Sequence, residues 1–388
     1  MRLLLGSVPL TLSVAARAAL FLGLSWQVYA TASAEQVAGF FQDMFLQSVL
    51  ITFFSASSFF AVVSKTWDDK RNAVLMLTHV LLAIIGVIAV WLLVIFDLAG
   101  VETHLLVTLL VGAVSTGLAS PLIGLIVRSQ GTWQAYGPAI VLAPLFLGVI
   151  LVPGLDPVTA AIGAIVAFQV TTFLYLAFVG RAVFAELLAQ RWTIWTRDVW
   201  AALWATFAFG ALNTVTVGYL YWFREAWVPL QVPEIAAAVL FVFRILDTFI
   251  GIVLTDLGGR IDAIRAVEER KGTWAMRIAG LGVVVIGLLW GLGTLDLRPF
   301  VLAVVGQLLL ECVRLPLQVF FLYQGARRSG LGYLVYTAGM VALSFAVLMV
   351  WPLQAFPTGF YVFMAVTSLL TASITCAYAA LRPVLPKH

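Results

Sequence analysis

Charged residues are scarce in this sequence. Only 10% of its 388 residues are Asp, Glu, Lys or Arg, and 63% are hydrophobic, whereas a soluble domain carries about 25% charged residues. Apolar runs of about 20 residues, long enough to cross about 30 Å of hydrocarbon, recur from one end to the other. The sequence therefore predicts an all-α polytopic membrane protein.

The residues that metal sites and nucleophilic catalysis use are also few. The two cysteines, Cys312 and Cys376, fall in predicted spans, and the three histidines, His79, His104 and His388, lie far apart in the predicted topology. The sequence holds no G-x-x-x-x-G-K loop, H-E-x-x-H or C-x-x-C motif. We expect no enzyme activity, no metal and no cofactor, and an ATP-driven machine would need a partner chain.

Apolar windows between charged or Pro/Gly punctuation predict twelve transmembrane helices. Their limits are 7–30, 35–64, 72–96, 103–128, 132–153, 157–187, 198–222, 231–257, 273–293, 299–326, 330–353 and 357–382. The first 34 residues end in Ala-Ser-Ala, which resembles a signal peptidase site. Because the apolar run before it has spanning length and contains Arg17, we expect it to stay as the first span.

The basic residues fix the predicted orientation. With the amino terminus inside, 17 of the 22 Lys and Arg residues fall in cytoplasmic segments, and only Arg224 and Arg298 fall in external turns. Both termini are then cytoplasmic. The net charge of +4 comes from residues clustered in short turns between apolar segments, so it argues against a nucleic-acid partner.

The chain carries signs of an internal repeat. "AEQVAGFF" (34–41) matches "PEIAAAVL" (233–240) at an offset of 199, and Pro121 aligns with Pro316 at an offset of 195. We predict two six-helix bundles, residues 1–187 and 198–388, joined by a cytoplasmic interfacial linker at 188–197. Repeated halves with a central cavity are a transporter architecture, with the substrate site between the halves.

Six charged residues fall inside predicted spans, where each needs a partner or a wet cavity. They are Arg17, Asp43, Arg244, Asp247, Glu311 and Arg314, and all lie on spans one, two, eight and ten. This distribution predicts a shared interior surface. The pairs Arg244/Asp247 and Glu311/Arg314 are each three residues apart, so each is either part of that surface or a local ion pair on one helix.

Neutral polar residues on the spans form a second set of candidates. They are Gln42, Gln47, Asn213 and Gln307, with Gln169 and Gln318 besides. Each either lines the cavity or hydrogen-bonds between helices.

Two stretches carry a resemblance to a known family. "SAEQVAGFFQDMFLQSV" (33–49), followed by "FFSASSFFAVVSKTWDDKRNAVL" (53–75), resembles the opening of Wzx-type polysaccharide flippases of the multidrug/oligosaccharidyl-lipid/polysaccharide (MOP) superfamily. "VPEIAAAVLFVFRILDTFIGIVLTDLGGRIDAIRAVEERKG" (232–272) is similar to that family's eighth span, with its acidic turn, central arginine and charged exit.

The resemblance implies a MOP/MATE-like fold and a flippase of the bacterial cytoplasmic membrane. Its substrate would be a polyprenyl-pyrophosphate-linked oligosaccharide, an O-antigen or exopolysaccharide repeat unit. Arg17 and Arg244 match cavity arginines of the family, while Arg314 is assigned by its chemistry. Asp43, Asp247 and Glu311 would couple movement to H⁺ or Na⁺ or pair with the arginines. Membrane lipids and a polysaccharide polymerase or glycosyltransferase are the expected partners.

Four alternatives remain open. The first is a cation-coupled multidrug exporter of the MATE branch, for which three intramembrane arginines are unfavourable. A major-facilitator transporter would need a longer central linker, and a glycan polymerase or ligase would need a large external loop. The last is a membrane subunit of a polysaccharide synthase complex that does not itself transport.

Overall fold

The computed structural model describes residues 8–55, 69–95, 103–189 and 224–259, with isolated helical positions at 214, 217, 218, 221, 339, 342 and 346. Every regular element in these segments is a helix. The α-helices are α1 (Val8–Thr31), α2 (Ala34–Ser55), α3 (Asp69–Ile95), α4 (Thr103–Ser129), α5 (Thr132–Leu147), α6 (Pro157–Ala189) and α7 (Pro233–Gly259). Short 3₁₀ helices follow α5 at Gly148–Leu151 and precede α7 at Val228–Leu230.

Helices α1 to α6 and α7 correspond to predicted spans one to six and eight. Their described ends lie within about three residues of the predicted ones, with two exceptions. Span two was predicted to reach 64 and the described part of α2 ends at Ser55, and span five was predicted to reach 153 and α5 ends at Leu147, before the 3₁₀ helix that ends at Leu151. Spans nine to twelve lie outside the described residues apart from isolated positions. The count of twelve, the orientation and the division into two bundles stay predictions.

Five of the described helices are long and apolar enough to cross a membrane. They are Val8–Thr31, Ala34–Ser55, His104–Ser129, Thr132–Leu151 and Pro157–Val183. Each has at least 18 residues, which matches the thickness of the hydrocarbon core. The protein is a multi-pass membrane protein.

Polar residues set the starts of two helices. Ser33 precedes α2 and forms a reciprocal cap with Gln36: the Gln36 amide donates to Ser33 Oγ at 3.3 Å, and the Ser33 amide donates to Gln36 Oε1 at 3.1 Å. At α6, Asp156 Oδ2 accepts the Thr159 amide at 2.8 Å, and Pro157 occupies the first helical position. Both arrangements satisfy amides that the first turn of a helix leaves without partners.

The buried apolar residues of the described segments form three clusters, and the largest of them joins α1, α2 and α7. Leu20 and Leu24 of α1, Phe41 of α2, and Leu240 and Phe243 of α7 are all at most 1% exposed and belong to the same cluster. Helix α4 packs mainly against α2 and α6, and α5 packs against α1. This arrangement brings the amino-terminal half of α7 directly onto α1 and α2.

Glycines allow the closest helix contacts. A Cβ atom added at Gly117 of α4 would lie 2.4 Å from Phe54 Cβ and 2.8 Å from the Phe54 carbonyl carbon of α2, and one added at Gly112 would meet both Gln47 and Gln169 within 2.8 Å. By contrast, an added Cβ atom meets nothing within 4 Å at Gly39, Gly137 or Gly163. The α2–α4 contact therefore depends on the missing side chain at Gly117.

Candidate functional site

Helix α7 carries two of the predicted charged residues, Arg244 and Asp247, and places Arg244 against α1. The guanidinium carbon of Arg244 lies 5.4 Å from the ring centroid of Phe21 on α1, within cation–π range. Arg17 is one helical turn before Phe21, and residues at this spacing share a helix face. The arginines of predicted spans one and eight thus lie along the same side of α1.

Asp247 forms its ion pair with Arg224, which was predicted to lie in an external turn. Its Oδ2 lies 3.5 Å from Nη1 of Arg224, and it attracts Arg244 electrostatically without an ion pair of that kind. Arg244 and Asp247 therefore attract each other along α7, while the ion pair of Asp247 is with Arg224. Asp247 thus joins α7 to the helical turn 224–227.

Arg224 is buried, in contrast to its predicted place in an external turn. The preceding span was predicted to end at 222, but residues 224–227 are helical and Arg224 is 5% exposed. Its guanidinium carbon lies 3.8 Å from the ring centroid of Phe45 on α2 and 5.2 Å from that of Phe243 on α7. Two aromatic faces therefore hold this cation between α2 and α7.

Arg224 and Arg244 each have one nitrogen atom without a hydrogen-bond partner among the described residues. The Nε atoms of Arg224 and Arg244 are shielded from solvent and make no hydrogen bond to the described residues. Arg224 also repels Arg244, and the single carboxylate of Asp247 attracts Arg244. Leaving a buried donor of a charged group unsatisfied costs at least about 1–3 kcal/mol. This part of the site can accept further hydrogen-bond acceptors, preferably with negative charge.

Acidic and amide groups lie on the other side of the same turn. Gln42 Nε2 of α2 donates to Glu225 Oε2 at 3.0 Å. Tyr221 is hydrogen-bonded to Glu225 and interacts electrostatically with Asp43. Both residues of this turn therefore contact α2, Arg224 through Phe45 and Glu225 through Gln42, and Arg224 contacts α7 as well.

We call this group the charged junction. It comprises Gln42, Asp43, Tyr221, Arg224, Glu225, Arg244 and Asp247. The sequence analysis singled out four of its members and missed Tyr221, Arg224 and Glu225. Within the described residues, no group of three or more His, Cys, Asp and Glu side chains is placed to hold a metal ion.

Arg17 of α1 has a neighbour outside the charged junction. Its Nε is also shielded and makes no hydrogen bond to the described part of the chain, and its guanidinium interacts electrostatically with Tyr136 of α5. Tyr136 is 4% exposed. Arg17 therefore faces the contact between α1 and α5.

Gln47 takes a separate place. Its Nε2 donates to Gln169 Oε1 of α6 at 3.0 Å, and both side chains are buried. This is the interhelical hydrogen bond that the sequence analysis left open for these residues. Glu311, Arg314, Asn213 and Gln307 lie outside the described residues, so their roles stay predictions.

No protein-family model matches the sequence, and no curated protein matches it significantly. Solved structures do match. An outward-facing multidrug resistance MATE family transporter of the MOP superfamily has a TM-score of 0.60 at 14% identity, covering 97% of this chain and 94% of that one. The fold is that of MOP superfamily transporters.

Two further matches differ in what they bind or are suggested to do. The MATE multidrug transporter DinF-BH, solved in complex with R6G, has a TM-score of 0.65 at 14% identity, with 97% and 94% of the two chains covered. A MOP superfamily transporter from Pyrococcus furiosus Vc1 is described as having a binding pocket of reverse polarity that suggests a different function. It has a TM-score of 0.60 at 12% identity and the same coverage.

Proposed function

We propose that this protein is a flippase that moves a polyprenyl-pyrophosphate-linked oligosaccharide across the bacterial cytoplasmic membrane by alternating access. The glycan is an O-antigen or exopolysaccharide repeat unit, so a polysaccharide polymerase or glycosyltransferase acts beside the flippase. Arg17, Arg244 and Arg314 bind the pyrophosphate. Asp43, Asp247 and Glu311 couple the movement to H⁺ or Na⁺ or neutralise the arginines in the empty protein.

One observation carries the proposal: Arg17 of α1 and Arg244 of α7 each have a solvent-shielded Nε atom that makes no hydrogen bond to the described residues. A guanidinium stays charged at any physiological pH and presents its N–H groups in a planar fork that fits phosphate oxygens. The MOP fold supports transport as the use of such a site. The pocket of reverse polarity described for the Pyrococcus furiosus transporter supports the idea that pocket charge differs between proteins of this fold.

A cation-coupled exporter of the MATE type is the second candidate. Asp43 and Glu225 favour it, because carboxylates near Tyr221 are suited to bind a cationic drug, H⁺ or Na⁺. In that case the arginines would only balance the acids. The two functions differ in the sign of the substrate charge, so one assay with two substrates separates them.

The experiment measures flipping of a fluorescent polyprenyl-pyrophosphate sugar in proteoliposomes containing wild-type protein, Arg17→Ala, Arg244→Ala or Arg181→Ala. Arg181 is the matched control, because it also lies over a phenylalanine ring, that of Phe178 at 4.5 Å, but on the exposed surface of α6. We expect both site variants to lose at least about tenfold in rate, since each removes charge-assisted hydrogen bonds worth about 1.5–3 kcal/mol. The control should keep the wild-type rate.

Two outcomes would contradict the proposal. Near wild-type flipping by Arg244→Ala would reassign Arg244 to structure. Absence of flipping by the wild-type protein, together with efflux of cationic dyes driven by a proton or sodium gradient, would favour the MATE-type exporter.

A further inference from the structure

We propose that Arg224 and Arg244 form one binding site for a phosphate oxyanion, and that the Asp247 carboxylate is its resting occupant, which the phosphate displaces. The inference rests on the proposed function and adds to it a further arginine, Arg224, beside Arg244. It also gives Asp247 the role of a competitor for the phosphate.

The existing ion pair between Arg224 and Asp247 is long. Arg224 Nη1 and Asp247 Oδ2 are 3.5 Å apart, whereas a strong N⁺–H···O⁻ bond is about 2.7–2.9 Å long. The Asp247 side chain is 33% exposed and the Arg224 side chain 6%. A loosely held, partly exposed carboxylate can leave the buried cation without disturbing the packing around it.

Two buried aromatic rings hold Arg224 in a fixed position. Its guanidinium lies against the rings of Phe45 and Phe243, both of which are at most 3% exposed. The cation is therefore held in place when its carboxylate partner leaves. A positioned guanidinium loses little conformational entropy when it binds an oxyanion, which favours tight binding.

Both arginines have an N–H donor that no described residue uses. The Nε atoms of Arg224 and Arg244 are both shielded and have no partner among the described residues, and the two cations share only the carboxylate of Asp247. A phosphate group has several oxygen acceptors and can bond two guanidinium groups at once, which one carboxylate oxygen at 3.5 Å does not do. A phosphate group can therefore use donors of both arginines that Asp247 leaves without a partner in the described part of the chain.

The test uses purified full-length protein and inorganic pyrophosphate as the probe, with binding measured by isothermal titration calorimetry. The variants are Arg224→Gln, Asp247→Asn and the double variant, with Arg181→Gln as the control. We expect Arg224→Gln to weaken binding at least about tenfold, equivalent to about 1.4 kcal/mol. Asp247→Asn should strengthen binding about threefold to tenfold, because the competing charge is gone while the side-chain shape is kept.

The double variant gives the decisive comparison. If Asp247 competes for the phosphate at Arg224, the gain from Asp247→Asn should shrink to within about twofold when Arg224 is already Gln. Wild-type affinity in Arg224→Gln, weaker binding in Asp247→Asn, or an unchanged gain in the double variant would overturn the inference. If Arg224→Gln does not yield folded protein, Arg224→Lys replaces it, since it keeps the charge and loses the planar fork.

Two further measurements identify the source of the phosphate and separate this inference from the proposed function. Titration of pyrophosphate in nanodiscs with and without phosphatidylglycerol shows whether the headgroup of this lipid competes for the site. If pyrophosphate binding responds to the Arg224 and Asp247 variants as expected but the protein does not flip the lipid-linked sugar, the site is supported and the flippase proposal is overturned. Flipping that is lost in Arg244→Ala but unchanged in Arg224→Gln would support the flippase proposal and overturn this inference.

Discussion

Helix α2 presents polar side chains to two neighbouring regions, and the two regions use them differently. Toward α4 and α6, Gln47 and Gln169 form a neutral, buried amide pair beside Gly112. Toward α7, Gln42 and Asp43 lie in the charged junction with Arg224 and its unpaired Nε. The first region pairs its polar groups within a tight helix contact, and the second keeps donors available.

The difference follows from what each region has to do in a membrane. A contact that only holds helices together is most stable when small residues allow close approach and every polar group has a partner. A charged group inside the membrane is costly and is tolerated when it serves a ligand or an ion. Under the proposed function, we expect the α2–α4–α6 side to be scaffold and the α2–α7 side to be the working surface.

The largest expected effect on stability is at Gly117. Gly117→Ala places a methyl group against the backbone of Phe54 and should lower the stability of the folded protein by about 2–3 kcal/mol. Thermal unfolding followed by size-exclusion chromatography measures it. Gly163→Ala on α6 is the matched control, because nothing lies within 4 Å of its added Cβ. Equal melting temperatures for the two variants would show that the α2–α4 contact is not tight.

A smaller effect is expected at the amide pair. Gln47→Leu leaves Gln169 Oε1 without its donor in a buried site and should cost about 1 kcal/mol. The double variant Gln47→Leu/Gln169→Leu should recover most of that loss, because both polar groups are then gone. Transport should change little in either variant. A strong loss of transport in the stable double variant would place this pair in the working surface and break the comparison.

The smallest effect is expected at the water-exposed start of α6. The hydrogen bond from the Thr159 amide lowers the pKa of Asp156, so the cap stabilises the folded state at neutral pH and is lost as the pH falls through that lowered value. Asp156→Ala should cost about 0.5 kcal/mol at pH 7, the low end for N-caps, because the site is exposed. Melting temperatures at pH 7 and at a pH below that lowered value measure this, and Asp156→Asn should remove the pH dependence while keeping the cap. A cost in Asp156→Ala that is the same at both pH values would contradict this account.

The helices could be predicted from the sequence because the membrane imposes a length of about 20 apolar residues on each span. The positions of the seven described helices were therefore visible in windows of composition. The pairing of Arg224 with Asp247 was not, because it depends on how helices are rotated against each other. An arginine a few residues after an apolar window looks like part of a turn, and windows of composition carry no information about which neighbour it meets.

Parts of the site did leave a signal in the sequence. The spacing of Arg244 and Asp247 correctly indicated that charge is concentrated on predicted span eight, although the ion pair of Asp247 lies on another segment. Trp227 is 0% exposed and lies three residues after Arg224. A tryptophan this close to a predicted turn was the available sign that the segment is packed inside the protein.

The glycines with open space around them have a practical consequence. The chain has only two native cysteines, so a variant without them can be made with two substitutions. Cysteine introduced at Gly39 of α2 or Gly137 of α5 would carry a spin label or fluorophore without pressing on a neighbouring helix. Distances between such labels would report how far these two helices move apart during a transport cycle, while the α2–α4 contact stays intact.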